Sequence, residues 1–248
     1  MAITALELSL IAVPLGLRHG FDYDHLAAIA DISSLQTNWK QGMKLGLLYA
    51  LGHALTLFIL AAPILLFGIH IPALRFPLAD RLVGITLIVM SLCIFISVVR
   101  NKHSHAAPTS RIAMLVTWTQ WAAWRIRAWM GSDALPPVPF RFTYDRGSVF
   151  VVGIIHGLGA ETPSQLALFM LTAQVGGAAM GVVGLLCFLA GLLAMNTFMT
   201  ATASGLKTSS LRAPWMNRGF NLLVASYSLA AGVIFAAALA DKLPPLGH

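Results

Sequence analysis

The sequence predicts an all-α polytopic membrane protein with six transmembrane helices arranged as two inverted three-helix repeats. Three observations carry that expectation. The 248-residue chain is 58% hydrophobic and only 10% charged, whereas soluble domains carry about a quarter charged residues. One core cannot hide so much apolar surface, so lipid must be part of the solvent. The apolar residues also fall into separate runs long enough to cross a bilayer, without the period-two alternation of a membrane barrel. Finally, two of these runs carry a His-Gly pair with an acid five residues after the histidine.

Taken in order, the expected spans are 5–30, 43–69, 79–99, 148–173, 177–203 and 217–240. The first has no basic leader and no small-residue cleavage site, and so reads as a retained helix rather than a signal peptide. The spans group into a first transmembrane half (1–99), a loop (100–147) and a second half (148–248). Within the loop, "WTQWAAWRIRAWM" sets Trp118, Trp121, Trp124 and Trp129 beside Arg125 and Arg127. That composition suits a helix lying in the headgroup layer, or tryptophans packed on the bundle. "PPVPF" (136–140) then reads as a stiff linker into the fourth span.

Charge sets the orientation. Outside the spans and at their ends, twelve Lys and Arg fall on the side of the first, third and fifth loops, against three (Arg75, Arg81, Lys242) on the other side. The positive-inside rule then puts the odd loops in the cytoplasm and both termini outside a cytoplasmic membrane. The net charge of +7 follows from the same loop bias and from no single basic face, so nucleic acid is not an expected partner. Cys93 and Cys187 fall mid-span and read as small apolar packing residues. Nothing in the sequence fixes the oligomeric state.

The first span contains the octet "RHGFDYDH", Arg18 to His25. Arg18, Asp22 and Asp24 would each cost ~2.5–3.5 kcal/mol near a helix centre, while each Leu or Ile returns only ~0.3–0.6 kcal/mol. Such residues must face a protein interior or a water-filled cavity and must have partners. A structural Arg–Asp pair absorbs Arg18 and one aspartate, but leaves His19, the second aspartate and His25 unexplained. At 100° per residue, Arg18, Asp22 and His25 share a face with His19 beside it, while Asp24 points nearly opposite. A regular helix therefore cannot gather His19, Asp24 and His25. Either the helix unwinds near Gly20, or Asp24 serves another partner, such as a cap or a hydrogen bond to a histidine.

Imidazole and carboxylate together are donors for a borderline divalent transition metal. Two further spans offer matching groups: His53 in "LGHALT", and His156 with Glu161 in "HGLGAETPSQ". The second aligns with the first span as His19/His156, Gly20/Gly157 and Asp24/Glu161, the basis for expecting an inverted repeat. Asn196 and Thr197 occupy roughly the place in the second half that His53 holds in the first, as polar lining or as interhelical hydrogen-bonding groups.

These motifs resemble those of the nickel/cobalt transporter (NiCoT) family. His19, four residues, then Asp24 and His25 match its H-x4-D-H signature; "LGHALT" is similar to its second motif, and "GLGAETPSQLAL" to its later glycine-rich acidic motif. The resemblance implies secondary transport of Ni2+ or Co2+, with the first motif essential for recognition and a large cytoplasmic loop between the halves. Family members usually have eight helices, where six are expected here. Glu161 stands where an Asp is usual, and Pro163, Ser164 and Gln165 replace a Thr/Ala run ending in an acid.

The expected function is therefore uptake of divalent nickel or cobalt through an intramembrane site. Its candidate ligands are His19, Asp22, Asp24, His25, His53, His156 and Glu161, supported by Arg18 and Asn196. No enzymatic activity and no resident cofactor are expected, since the metal is cargo. The alternatives are a metal efflux permease of the same superfamily and an intramembrane zinc metalloenzyme. Against the enzyme stand the absence of H-E-x-x-H and of an obvious spare general base.

Overall fold

In the computed structural model, the residues described are 4–67, 77–100, 121, 123–130, 146–159 and 162–239. They are helical, with no strand among them. The helices are α1 (Ala5–Gly20), α2 (Tyr23–Ser34), α3 (Trp39–Phe67), α4 (Pro77–Arg100), α5 (Arg146–His156), α6 (Thr162–Ser210) and α7 (Pro214–Ala236). Residues 123–129 form a further short helical piece. Most of the 100–147 loop, including Trp118 and "PPVPF", lies outside the described residues, as does Glu161.

Among the described residues fewer helices are long and apolar enough to cross than the six expected. Four helical stretches among the described residues are long and apolar enough to cross alone: α3, Leu78–Val98 of α4, Gly176–Ser210 of α6, and α7. The first and fourth expected spans are instead each interrupted where His-Gly occurs. The run 5–30 is divided into α1 and α2, and the run 148–173 into α5 and the start of α6. At 16 residues and ~1.5 Å per residue, α1 is ~24 Å long, short of a ~30 Å hydrocarbon core. By contrast, the expected boundary between the fourth and fifth spans coincides with Gly177, whose φ of 81° interrupts α6. A positive φ suits glycine because it has no Cβ to clash.

The break after α1 has a local cause. The amides of Phe21 and Asp22 turn back to the carbonyls of Arg18 and His19, at 2.9 and 3.1 Å, which closes the helix. Asp22 then adopts an extended conformation (φ −67°, ψ 162°) as the residue preceding α2, and its carbonyl accepts the Leu26 amide at 3.0 Å. Charged and polar residues here gain more from a turn lining the interior than from a helix face in lipid.

Small residues bring the helices together, as expected where apolar side chains gain little by leaving lipid for one another. On the α1–α6 contact, a Cβ on Gly16 would run into the Phe188 carbonyl, and one on Gly191 into that of Val13. The α3–α5 contact repeats the arrangement: Gly153 lies against the Tyr49 carbonyl and Gly52 against that of Phe150. Here Thr56 Oγ1 also donates to the carbonyls of Gly52 and Ile154, at 3.1 and 3.2 Å. The third such contact sets Gly84 of α4 against Gly232 of α7. Backbone against backbone cannot yield, so Gly153→Leu is expected to part α3 from α5 at a cost of at least ~1–3 kcal/mol. Thermal unfolding in detergent checks this, and an unchanged midpoint would contradict the contact.

The helix α2 is the centrepiece. Ala27, Ala28, Ile29 and Ile32 are buried with Tyr49 of α3, Leu87 and Met90 of α4, Val149 of α5 and Met199 of α6. Its buried Asp31 accepts a 2.7 Å hydrogen bond from Ser228 Oγ of α7. At the far end of α6, buried Lys207 donates to Asn217 and Asn221 of α7, at 2.5 and 2.9 Å. Around 121–130 the side chains of Trp121, Ile126, Trp129 and Met130 are exposed, with Trp121 edge-on to Trp124.

Candidate metal centre

The broken first span carries two histidines to one point. His19 ends α1, His25 lies in the first turn of α2, and His53 comes from the middle of α3. All three are buried, His25 and His53 almost completely. The His25 and His53 rings are 4.3 Å apart between centroids, His19 and His25 are 4.9 Å apart, and His19 and His53 5.3 Å. One nitrogen from each ring lies within 4.8 Å of the others.

Hydrogen bonds fix which nitrogens are available. His19 Nδ1 is 3.1 Å from Asp22 Oδ2; a carboxylate only accepts, so Nδ1 carries the proton and Nε2 holds a lone pair. That Nε2 is 3.2 Å from His53 Nε2. His25 Nε2 and His53 Nδ1 have no hydrogen-bond partner in the protein. Buried polar atoms ordinarily find one, so His25 Nε2 is a bare nitrogen beside the cluster, whereas His53 turns Nε2, not its unpartnered Nδ1, toward His19.

The spacing suits a metal. With metal–nitrogen bonds of ~2.0–2.1 Å, two nitrogens of one coordination sphere stand at most ~4.2 Å apart. The 3.2 Å His19–His53 pair already falls in that range. The widest pair, at up to 4.8 Å, needs a shift of about half an ångström, within the reach of side-chain rotation. No cysteine belongs to the cluster, so the donors favour Ni2+, Co2+ or Zn2+ over a soft ion.

The other candidates fall in different places. Asp22 holds His19 from behind and is about one quarter exposed. Asp24 is buried at the start of α2, within electrostatic reach of Tyr49, His156 and Tyr227. His156 ends α5 as His19 ends α1, yet it is outside the cluster of three: Tyr49 stands between it and His25. Asn196 is fully buried, and neither its amide nitrogen nor its oxygen has a hydrogen-bond partner. Arg18 is exposed, with no carboxylate within ion-pair distance among the described residues. Tyr49 and Thr86 were not singled out by sequence. Tyr49 had a legible signal, four residues before His53 and therefore on the same helical face.

Fold and site together define a polytopic helical membrane protein with a buried three-histidine cluster at a helix break. Comparison with known proteins names the kind. The chain is 26% identical over 266 residues to the cobalt transport protein NhlF of Rhodococcus rhodochrous, covering 94% of this chain and 71% of that protein. It is 23% identical over 263 residues to the nickel transporter NixA of Staphylococcus aureus, covering 95% and 74%. Both are nickel or cobalt transporters, the kind that the three sequence motifs resemble. No family model matches the chain, and no solved structure matches it.

Proposed function

We propose that this chain is a secondary transporter that takes up Ni2+ or Co2+ across the cytoplasmic membrane, with His19, His25 and His53 as the ligands that strip water from the ion. The observation that carries this reading is the convergence of three buried imidazoles from α1, α2 and α3, each offering a nitrogen within 4.8 Å of the others. The two relatives, each matched over at least 94% of this chain, support the cargo. Asp22 and Asp24 offset the ionic charge, and Asn196 supplies an adjacent polar group. An inverted repeat is supported by the matched contacts, Gly16/Phe188 and Gly191/Val13 in one place, Gly153/Tyr49 and Gly52/Phe150 in the other. The same pairing sets Leu192 opposite His53 in the repeat, so Asn196 stands one turn beyond. Rocking of two such halves about the cluster would expose it alternately to either side. The exposed tryptophans of 121–130 suit a helix in the cytoplasmic headgroup layer.

Uptake rather than export follows from energetics. An inside-negative potential favours inward movement by ~2.3 kcal/mol per charge per 100 mV, ~4.6 for a divalent ion, with no ATP required. Cells expressing the chain are expected to accumulate radiolabelled nickel or cobalt at micromolar supply, and to lose that accumulation when the potential is collapsed. Lowered cellular metal with raised tolerance would instead establish efflux. Metal-dependent turnover without ion flux in proteoliposomes would establish an enzyme.

A further inference from the structure

Beyond the cluster, four groups form a line of hydrogen bonds from α4 to His25. Thr86 Oγ1 lies 2.7 Å from the Val83 carbonyl and 2.9 Å from His156 Nε2. His156 Nδ1 lies 3.1 Å from the Tyr49 hydroxyl, which is 3.5 Å from His25 Nδ1. His25, Tyr49 and His156 are essentially inaccessible to solvent, so these groups must satisfy one another.

The direction of the line can be deduced one proton at a time. A carbonyl only accepts, so the single hydroxyl proton of Thr86 goes to Val83, and its oxygen accepts from His156 Nε2–H. A neutral imidazole protonated on Nε2 has a lone pair on Nδ1, which accepts the Tyr49 hydroxyl proton. The Tyr49 oxygen then faces His25 Nδ1 with a lone pair, so Nδ1 carries the proton there. The proton is thereby kept off His25 Nε2, the nitrogen that has no partner in the protein. Which imidazole nitrogen meets a metal is set by the hydrogen bond made by the other.

We infer that Thr86, His156 and Tyr49 form a positioning relay that holds His25 in the tautomer whose Nε2 lone pair is presented to the ion, with His156 acting through Tyr49 instead of as a ligand. The inference rests on the proposed metal site but not on transport. It gives the first half's ligand cluster a support anchored in the second half, since His156 belongs to α5. It also explains why a histidine placed in sequence like His19 lies away from the other three.

The test uses the purified full chain in detergent, with Co2+ and Ni2+ salts as probes. In metal-free protein labelled with 15N-histidine, His25 is expected in the Nδ1–H form, and Tyr49→Phe is expected to mix the two tautomers. Tyr49→Phe and Thr86→Val are expected to weaken Co2+ binding by about 10- to 100-fold, the range for outer hydrogen-bond partners of metal ligands. Thr86→Ser keeps the hydroxyl and is expected to bind like the wild type. Unchanged Co2+ affinity in Tyr49→Phe would overturn the relay, as would equal impairment in Thr86→Ser and Thr86→Val. A His156→Ala loss with no Tyr49→Phe effect would make His156 a ligand and overturn it too. Wild-type protein that binds neither ion would remove the metal site itself and the relay with it. Binding without cellular uptake would sink only the transport reading.

Discussion

Replacing His53 with alanine is expected to reduce nickel or cobalt accumulation to that of cells lacking the protein. Its Nε2 stands 3.2 Å from that of His19, a spacing already suited to a shared ion. His53 is also the contribution of an unbroken helix, so it is fixed by α3 regardless of how the α1–α2 break adjusts. Removing it leaves the His19 lone pair without its neighbour and opens a cavity beside His25, whose ring lies 4.3 Å away. The ion is then left with two imidazoles in an interior that cannot replace the lost water. The expected loss exceeds ~100-fold, above the ~10–100-fold cost of losing an outer partner. Initial uptake rates at matched membrane protein levels measure it. Near-wild-type uptake in His53→Ala would refute the ligand assignment.

Acidification is expected to depress uptake as well, because the imidazoles bind metal only when neutral and protons compete for the same lone pairs. Two clustered nitrogens 3.2 Å apart cannot both carry protons without mutual repulsion. The loss should therefore appear as a weaker apparent affinity, reversed by more metal. A pH-dependent fall in maximal rate at saturating nickel would contradict this.

How much of this was legible in the sequence depends on the range of the interaction involved. The cost of Arg18, Asp22 and Asp24 in lipid, and the way 100° steps separate Asp24 from His19, required either an unwound turn or a separate role for Asp24. The structure has a break, at Phe21–Asp22, and it also buries Asp24 outside the three-histidine cluster, within electrostatic reach of His156. Hydropathy could not show that the first and fourth runs were interrupted, because it averages over a window longer than a two-residue turn. His156 was legible as an intramembrane histidine but not as the partner of Tyr49. That relation depends on α5 lying against α3 through Gly153 and Gly52, a contact that one sequence does not specify. Thr86 was harder still. A threonine in an apolar helix ordinarily bonds its own preceding turn, and only the crossing of α4 past the end of α5 brings His156 to it. Arg18 was legible as costly but not as exposed, since a residue at the end of a broken helix can leave the interior without leaving the chain's path.

Charge balance gives the other large effect, at Asp22. A divalent ion among neutral imidazoles brings two positive charges into a region of low dielectric, which is prohibitive unless carboxylates are close. Among the described residues, Asp22 and Asp24 are the acids nearest the cluster in the chain, and Asp22 also touches it, through the 3.1 Å contact with His19. In the proposed site Asp22 would act in two ways, as countercharge and as the acceptor that keeps the His19 proton on Nδ1, away from the ion. The two separate by substitution. Asp22→Asn removes the charge but retains an amide oxygen that accepts from His19, so it is expected to raise the half-saturating nickel concentration about 10-fold. Asp22→Leu removes both functions and is expected to raise it about 100-fold, toward the upper end for outer partners of a metal ligand. Because the extended backbone at Asp22 (φ −67°, ψ 162°) is open to any residue and its side chain makes no cap to α2, the helix break should survive both changes. Unchanged thermal unfolding would confirm that. Equal effects of the two variants would make charge the whole of its contribution, and a wild-type concentration dependence in Asp22→Leu would remove Asp22 from the site.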